Sequence, residues 1–214
     1  KYRQILKSRN LLLKEQKYEM LDVYDIQLAA AGIQIQKKRK TAIFKFNEIF
    51  TKLYFDITGI ENVRIFYEPS WKEIDEGISK RTPDENEILN ILKNKREIDK
   101  IMNTTMSGPH RDKIKFVKDG MLFVPVASTG QRRLIALLLR ISQAVFFNQI
   151  TKENPILLMD DVMLELDPDK RQKLTSMLPE YDQLFCTFLP GEPYERYRRS
   201  STKIINVKDG AWYE

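Results

Sequence analysis

Ile156-Leu157-Leu158-Met159-Asp160-Asp161 is the run on which the fold turns. A short apolar stretch of this kind reads as a buried parallel strand. The two consecutive acids that end it place carboxylates at the C-terminal edge of that strand, where ligands of open α/β sheets bind. Side-by-side carboxylates repel one another, so core packing gives no reason for the pair. A nucleoside triphosphate with Mg²⁺ does: Asp160 would hold the ion through its water shell, and Asp161 would polarise the attacking water.

Upstream lies Ala127-Ser128-Thr129-Gly130-Gln131-Arg132-Arg133, directly before a helix with a broad apolar face over 134–150. Ser and Gly ahead of a helix N-terminus build an anion site from a hydroxyl, exposed N–H groups and the helix dipole. The same residues also read as an ordinary Ser N-cap. Downstream, Glu165-Leu166-Asp167 precedes Pro168, so Asp167 reads as the cap of a helix over 169–178. Another buried-type strand is expected over 184–188. Asp119-Gly120 and Asp209-Gly210 each sit between short apolar runs, which signals a hairpin. Strand–helix–strand alternation over about 120–190 indicates an α/β sheet.

The N-terminal part differs. Apolar residues from Tyr2 to Leu53 recur at helical spacing, and Thr58-Gly59 supplies the stop. Gly32 weakens a helix without ending it. A short strand is expected over 63–67, a loop over 68–83 and one helix over 85–101.

Of the 214 residues 42% are hydrophobic and 31% charged, as in soluble globular proteins, and the net charge is +6. Residues 1–45 alone carry 11 Lys or Arg against 4 Asp or Glu, so the basic surplus is theirs and the remainder is near neutral. A polyanion partner is sought there, at Lys37-Lys38-Arg39-Lys40 above all, although a helical basic face is also an ordinary solvated surface. No apolar run is expected to reach the roughly 18–20 residues of a membrane span. The single Cys186 excludes an internal disulfide framework and suits a reducing cytosol. The start at Lys1-Tyr2-Arg3-Gln4 lacks Met and any secretory signal, and reads as the interior of a longer protein.

Taken together and in this order, the three pieces resemble the ABC-type ATPase heads of the RecF and chromosome-maintenance type. Residues 127–131 match the signature sequence, with Thr129 where many members have Gly. Asp160 and Asp161 match the Walker B pair, and Glu165-Leu166-Asp167 the D-loop. Ser107-Gly108-Pro109-His110-Arg111-Asp112, the Asp-Asp pair and Arg9-Asn10-Leu11-Leu12-Leu13-Lys14 point to the RecF branch. No G-x-x-x-x-G-K-[ST] loop occurs. In this family that loop lies ahead of the position of Lys1, so the chain is expected to be a C-terminal part that is inactive alone. At the switch position after the last core strand, Cys186-Thr187-Phe188, only Thr187 could contact phosphate.

The resemblance implies a C-terminal portion of an α/β ABC-ATPase head over 105–214 and a mainly helical second lobe over 1–104. It implies ATP and Mg²⁺ as cofactors, with Asp160 at the metal and Asp161 as general base. Ser128, Thr129, Gly130, Gln131 and Asp167 would face nucleotide. It further implies a homodimer closed on ATP, a cytoplasmic location away from membranes, and action on gapped or junction DNA with RecO and RecR to help RecA load. Lys37, Lys38, Arg39 and Lys40 would then touch phosphate. Two other readings are a non-catalytic DNA-binding and dimerisation module, and the head of another branch such as a RecN-like or chromosome-maintenance protein.

Overall fold

The computed structural model describes residues 1–72, 83–162, 166–191 and 194–213. Its contacts divide the chain into two units, residues 1–146 and residues 147–214. The division expected from the sequence was 104/105, but a strand from each side of that point pairs in one sheet of the first unit.

Helical spacing at the N-terminus produces α1 (Tyr2–Lys14), a 3₁₀ turn (Tyr18–Met20) and α2 (Leu21–Thr58). At 38 residues α2 is about 57 Å long. It ends where expected: Gly59 takes a left-handed φ of 69° and its N–H donates to Phe55 O at 2.7 Å. Ile5 of α1 and Leu28, Ala29 and Ile33 of α2 form a core with Trp71, Ile88, Ile91 and Leu92. Gly32 belongs to this packing, because a Cβ there would lie 2.4 Å from the Trp71 ring. Trp71 is fully buried; its indole N–H donates to Ser107 Oγ and its carbonyl accepts from Gln36 Nε2.

The helix expected over 85–101 is two helices, α3 (Glu85–Asn94) and α4 (Arg96–Met102). A capping box of Asp84 and Glu87 starts α3. Long-range ion pairs accompany the break at Lys95. Asp99 of α4 meets Arg9 of α1 at 2.7 Å, and Arg96 meets Asp25 of α2 at 2.6 Å. Arg9 also donates to Asp25 at 2.6 Å and to Thr105 Oγ1 at 2.8 Å, with Arg9, Asp25, Asp99 and Thr105 all buried.

β1 (Val63–Glu68), β2 (Lys113–Lys118) and β3 (Met121–Leu122) form an antiparallel sheet in that order. Asp119 and Gly120 turn β2 into β3 with φ of 50° and 83°, both left-handed, as an Asp-Gly hairpin requires. Phe50 and Tyr54 of α2 cover the sheet through Phe116 and Phe123. Asn47 of α2 serves the outer edge of β1: its amide donates to Ile65 O and accepts from Ile65 N–H, each at 2.8 Å.

α5 (Thr129–Thr151) begins five residues before the expected helix and crosses the division between the units. Contrary to expectation, it is long and apolar enough, by length and composition, to cross a membrane. Leu134, Ile135, Leu138 and Ile141 are nonetheless buried as core, and Arg140 interrupts the apolar run.

In the second unit β4 (Ile156–Met159) and β5 (Gln183–Cys186) pair in parallel, Met159 opposite Cys186. α6 (Pro168–Ser176) lies between them in sequence. β6 (Asn206–Lys208) and β7 (Ala211–Tyr213) form the terminal hairpin on Asp209 and Gly210. β4 and β5 are not buried as expected, because Ile156 is 62%, Leu158 75% and Phe185 50% exposed. Among the described residues nothing covers this apolar face.

Candidate functional site

The parallel pair delivers Asp160 and Asp161 to its C-terminal edge, both solvent-exposed. There they meet Thr187, the residue after β5. Its N–H donates to Met159 O at 3.0 Å. Its hydroxyl donates to Asp160 Oδ1 at 2.8 Å and accepts from the Asp161 N–H at 2.9 Å, with Asp161 Oδ1 farther off at 3.3 Å. Asp161 carries a left-handed φ of 51°, a conformation that costs a non-glycine residue about 1 kcal/mol and is concentrated at functional sites.

The donor set suits Mg²⁺, which takes one or two carboxylates and fills its octahedron with phosphate and water oxygens. Asp160 keeps its Oδ2 clear of the Thr187 bond. Among the described residues no group of three His, Cys, Asp or Glu forms a closed protein cage.

Ser128, in the first unit, is the helix cap that the sequence allowed. Its hydroxyl accepts from Gln131 N–H at 3.2 Å, and Gln131 Oε1 accepts from Ser128 N–H at 2.8 Å, a reciprocal cap at the start of α5. Ser128, Thr129 and Gly130 are nevertheless exposed. A Cβ on Gly130 would meet nothing within 4 Å, so no neighbour among the described residues explains the glycine.

Asp167 caps α6, accepting from Lys170 N–H at 2.9 Å and pairing with Lys170 Nζ at 2.5 Å. That Lys170 contact holds its carboxyl below the usual range. Glu165 lies outside the described residues.

Within the basic cluster the four side chains differ. Arg39 donates to Pro109 O and pairs with Asp112 at 2.7 Å, whereas Lys37, Lys38 and Lys40 are exposed on α2. Sequence reasoning missed this bond because its partners lie 73 residues apart.

The landmark over 107–112 is a junction. Asp112 accepts from Tyr67 OH and, at 2.8 Å, from Ser70 N–H. Asn10 Oδ1 accepts from Thr105 N–H and Oγ1, which explains the weight the sequence put on Arg9-Asn10. His110 Nε2 donates to Thr105 O at 3.0 Å and Nδ1 lies 2.8 Å from Tyr2 OH, from which it accepts when the ring is neutral. Burial pushes the His110 imidazole down and the Tyr2 phenol up.

No family model matches the chain. Over all 214 residues it is 47% identical to the DNA replication and repair protein RecF of Treponema pallidum (strain Nichols). Over 98% of its length it is 32% identical to RecF of Lachnospira eligens. It spans 58% and 56% of the length of these two relatives. Two solved structures of the recombination mediator protein RecF in the RecFOR pathway, with ATP and with ATPrS, match at TM-scores of 0.78 and 0.75. Sequence identity is 25% and 28%, with 99% and 98% of this chain covered and 56% and 55% of theirs.

Proposed function

We infer the function from one premise: this chain is similar along its whole length to the carboxy-terminal part of RecF, a DNA replication and repair protein with a solved ATP-bound structure. The reading is an ATP-operated clamp on DNA. Two copies of the intact protein close on two nucleotides, and hydrolysis opens them. The observation that carries it is the pair of exposed carboxylates that β4 and β5 hold at one sheet edge.

Asp160 would hold Mg²⁺, which when bound would neutralise phosphate charge and orient the triphosphate. Asp161 takes up or directs the proton of the attacking water. Ser128 and Gly130 present a hydroxyl, the positive end of the α5 dipole and a bare backbone to the phosphates bound by the partner copy. The absence of a side chain at Gly130 allows that close approach. The exposed lysines of α2 meet DNA phosphate without reading sequence. In cells the activity belongs to the cytoplasm, at gapped or junction DNA, where RecO and RecR work with it to load RecA. Without a phosphate-cradling loop this chain alone neither binds ATP tightly nor hydrolyses it.

Sedimentation of the full-length protein with and without ATP tests the clamp. Asp161→Asn should bind ATP and accumulate as dimer, because closure no longer ends in hydrolysis. Ser128→Arg should bind ATP and stay monomeric. Normal dimerisation of the Ser128 variant would reduce residues 127–131 to a helix cap and remove the mechanism.

A further inference from the structure

We propose that Thr187 is the positioning residue of the acid pair, a clasp that fixes Asp161 for its work on water. The idea rests on the reading of Asp160 and Asp161 given above. Thr187 bonds three successive residues: the Met159 carbonyl, the Asp160 carboxylate and the Asp161 N–H. The first bond extends the β4–β5 ladder by one step beyond Cys186 and brings the side chain over the acids. The hydroxyl then uses its one proton and a lone pair in opposite directions, toward Asp160 Oδ1 and from Asp161 N–H.

Two consequences follow from this geometry. Engaging Asp160 Oδ1 orients that carboxylate and leaves Oδ2 for a cation. Accepting the Asp161 N–H ties down a residue whose left-handed backbone would otherwise relax. A relaxed Asp161 would swing its carboxylate away from the edge, and displacement of about 1 Å at a reacting group lowers rates by around 10²-fold. Thr187 therefore acts through Asp161 and need not touch nucleotide. A threonine that instead bound phosphate would reveal itself in ATP affinity.

The test uses the full-length protein and three readouts: equilibrium binding of ATP, single-turnover hydrolysis at saturating ATP, and thermal stability. Thr187→Val keeps the shape and loses both hydroxyl bonds. It should bind ATP within about threefold of the parent and hydrolyse it at least tenfold more slowly. Thr187→Ser restores the hydroxyl and should return the rate to within about threefold. Thr187→Val added to Asp161→Asn should slow hydrolysis no further, as expected for groups acting as one unit. If the valine variant is unfolded, Thr187→Ala carries the same expectations. Parental hydrolysis without the hydroxyl, an ATP affinity that falls in step with the rate, or additivity with Asp161→Asn would each overturn the proposal. Parental hydrolysis by Asp161→Asn itself would instead overturn the function of the acid pair.

Discussion

Arg39 of α2 is bound to Asp112, at 2.7 Å, and so holds the helix that carries the basic cluster to the loop over 107–112. Its guanidinium is committed to that carboxylate, which is itself almost fully buried. The densest basic run in the sequence is thus divided between structure and surface. Replacing Lys37, Lys38 and Lys40 with Gln in the full-length protein should flatten the salt dependence of DNA binding by roughly 0.9 per lost phosphate contact. Arg39→Gln should leave that slope nearly unchanged and cost about 1–3 kcal/mol of stability. An equal change of slope in both variants would return Arg39 to the DNA surface.

Arg9 is the most consequential buried charge. Arg9→Ala leaves Asp99 without a cation in a buried position and should destabilise the first unit by about 3–5 kcal/mol. Arg96→Ala should cost far less, since Asp25 keeps Arg9 and Asp22 is largely exposed. Urea denaturation followed by Trp71 fluorescence in a Trp212→Phe background measures both. Equal midpoints for the two variants would contradict the assignment.

Two glycines should respond to alanine with opposite signs. Gly32→Ala drives a Cβ into the Trp71 ring, and the overlap, about 1–3 kcal/mol, outweighs the gain in helix propensity. Gly130→Ala meets open space and should stabilise by up to about 1 kcal/mol. In the full-length protein the same Gly130 change should weaken ATP-driven dimerisation. Calorimetry of the two variants decides the signs.

His110 gives the first unit an acid-side weakness. Its pKa lies below the ordinary 6.5 in the folded chain, through burial, so the unfolded chain takes up the proton first. Stability is therefore full above about pH 7 and falls as pH drops through 6.5 toward the folded value. Protonation also puts an N–H against Tyr2 OH where an acceptor was needed. The midpoint of denaturation should fall between pH 7 and 5, and less steeply in His110→Gln. A histidine variant with the parental pH profile would place the weakness elsewhere.

Local patterns in the sequence were faithful where the physics is local. The 3.6-residue spacing marked the helical stretch and Gly59 its end, though not the break between α1 and α2, and the Asp-Gly turns gave both hairpins. The adjacent acids announced a strand edge because their charge had no packing explanation. What stayed hidden depends on distant partners. The break at Lys95 goes with Arg9 and Asp25, some 70 to 90 positions away. The clasp of Thr187 rests on a single residue, which has no periodicity to read. The apolar letters of β4 and β5 suggested burial, but hydrophobicity states a need for cover without saying which segment supplies it.

The grip of Asn47 on Ile65 has a consequence for how copies of the molecule meet one another. An outer strand normally offers a row of unpaired amide groups that a strand from another molecule can extend, the first step of ordered aggregation. In β1 one carboxamide occupies the middle of that row from the helix side, donating and accepting as a neighbouring strand would. Asn47→Leu would leave β1 open to recruitment, with concentration-dependent association that light scattering would register. The β1 edge is thus occupied at its middle by its own helix, whereas the β4–β5 pair has no such side-chain guard among the described residues.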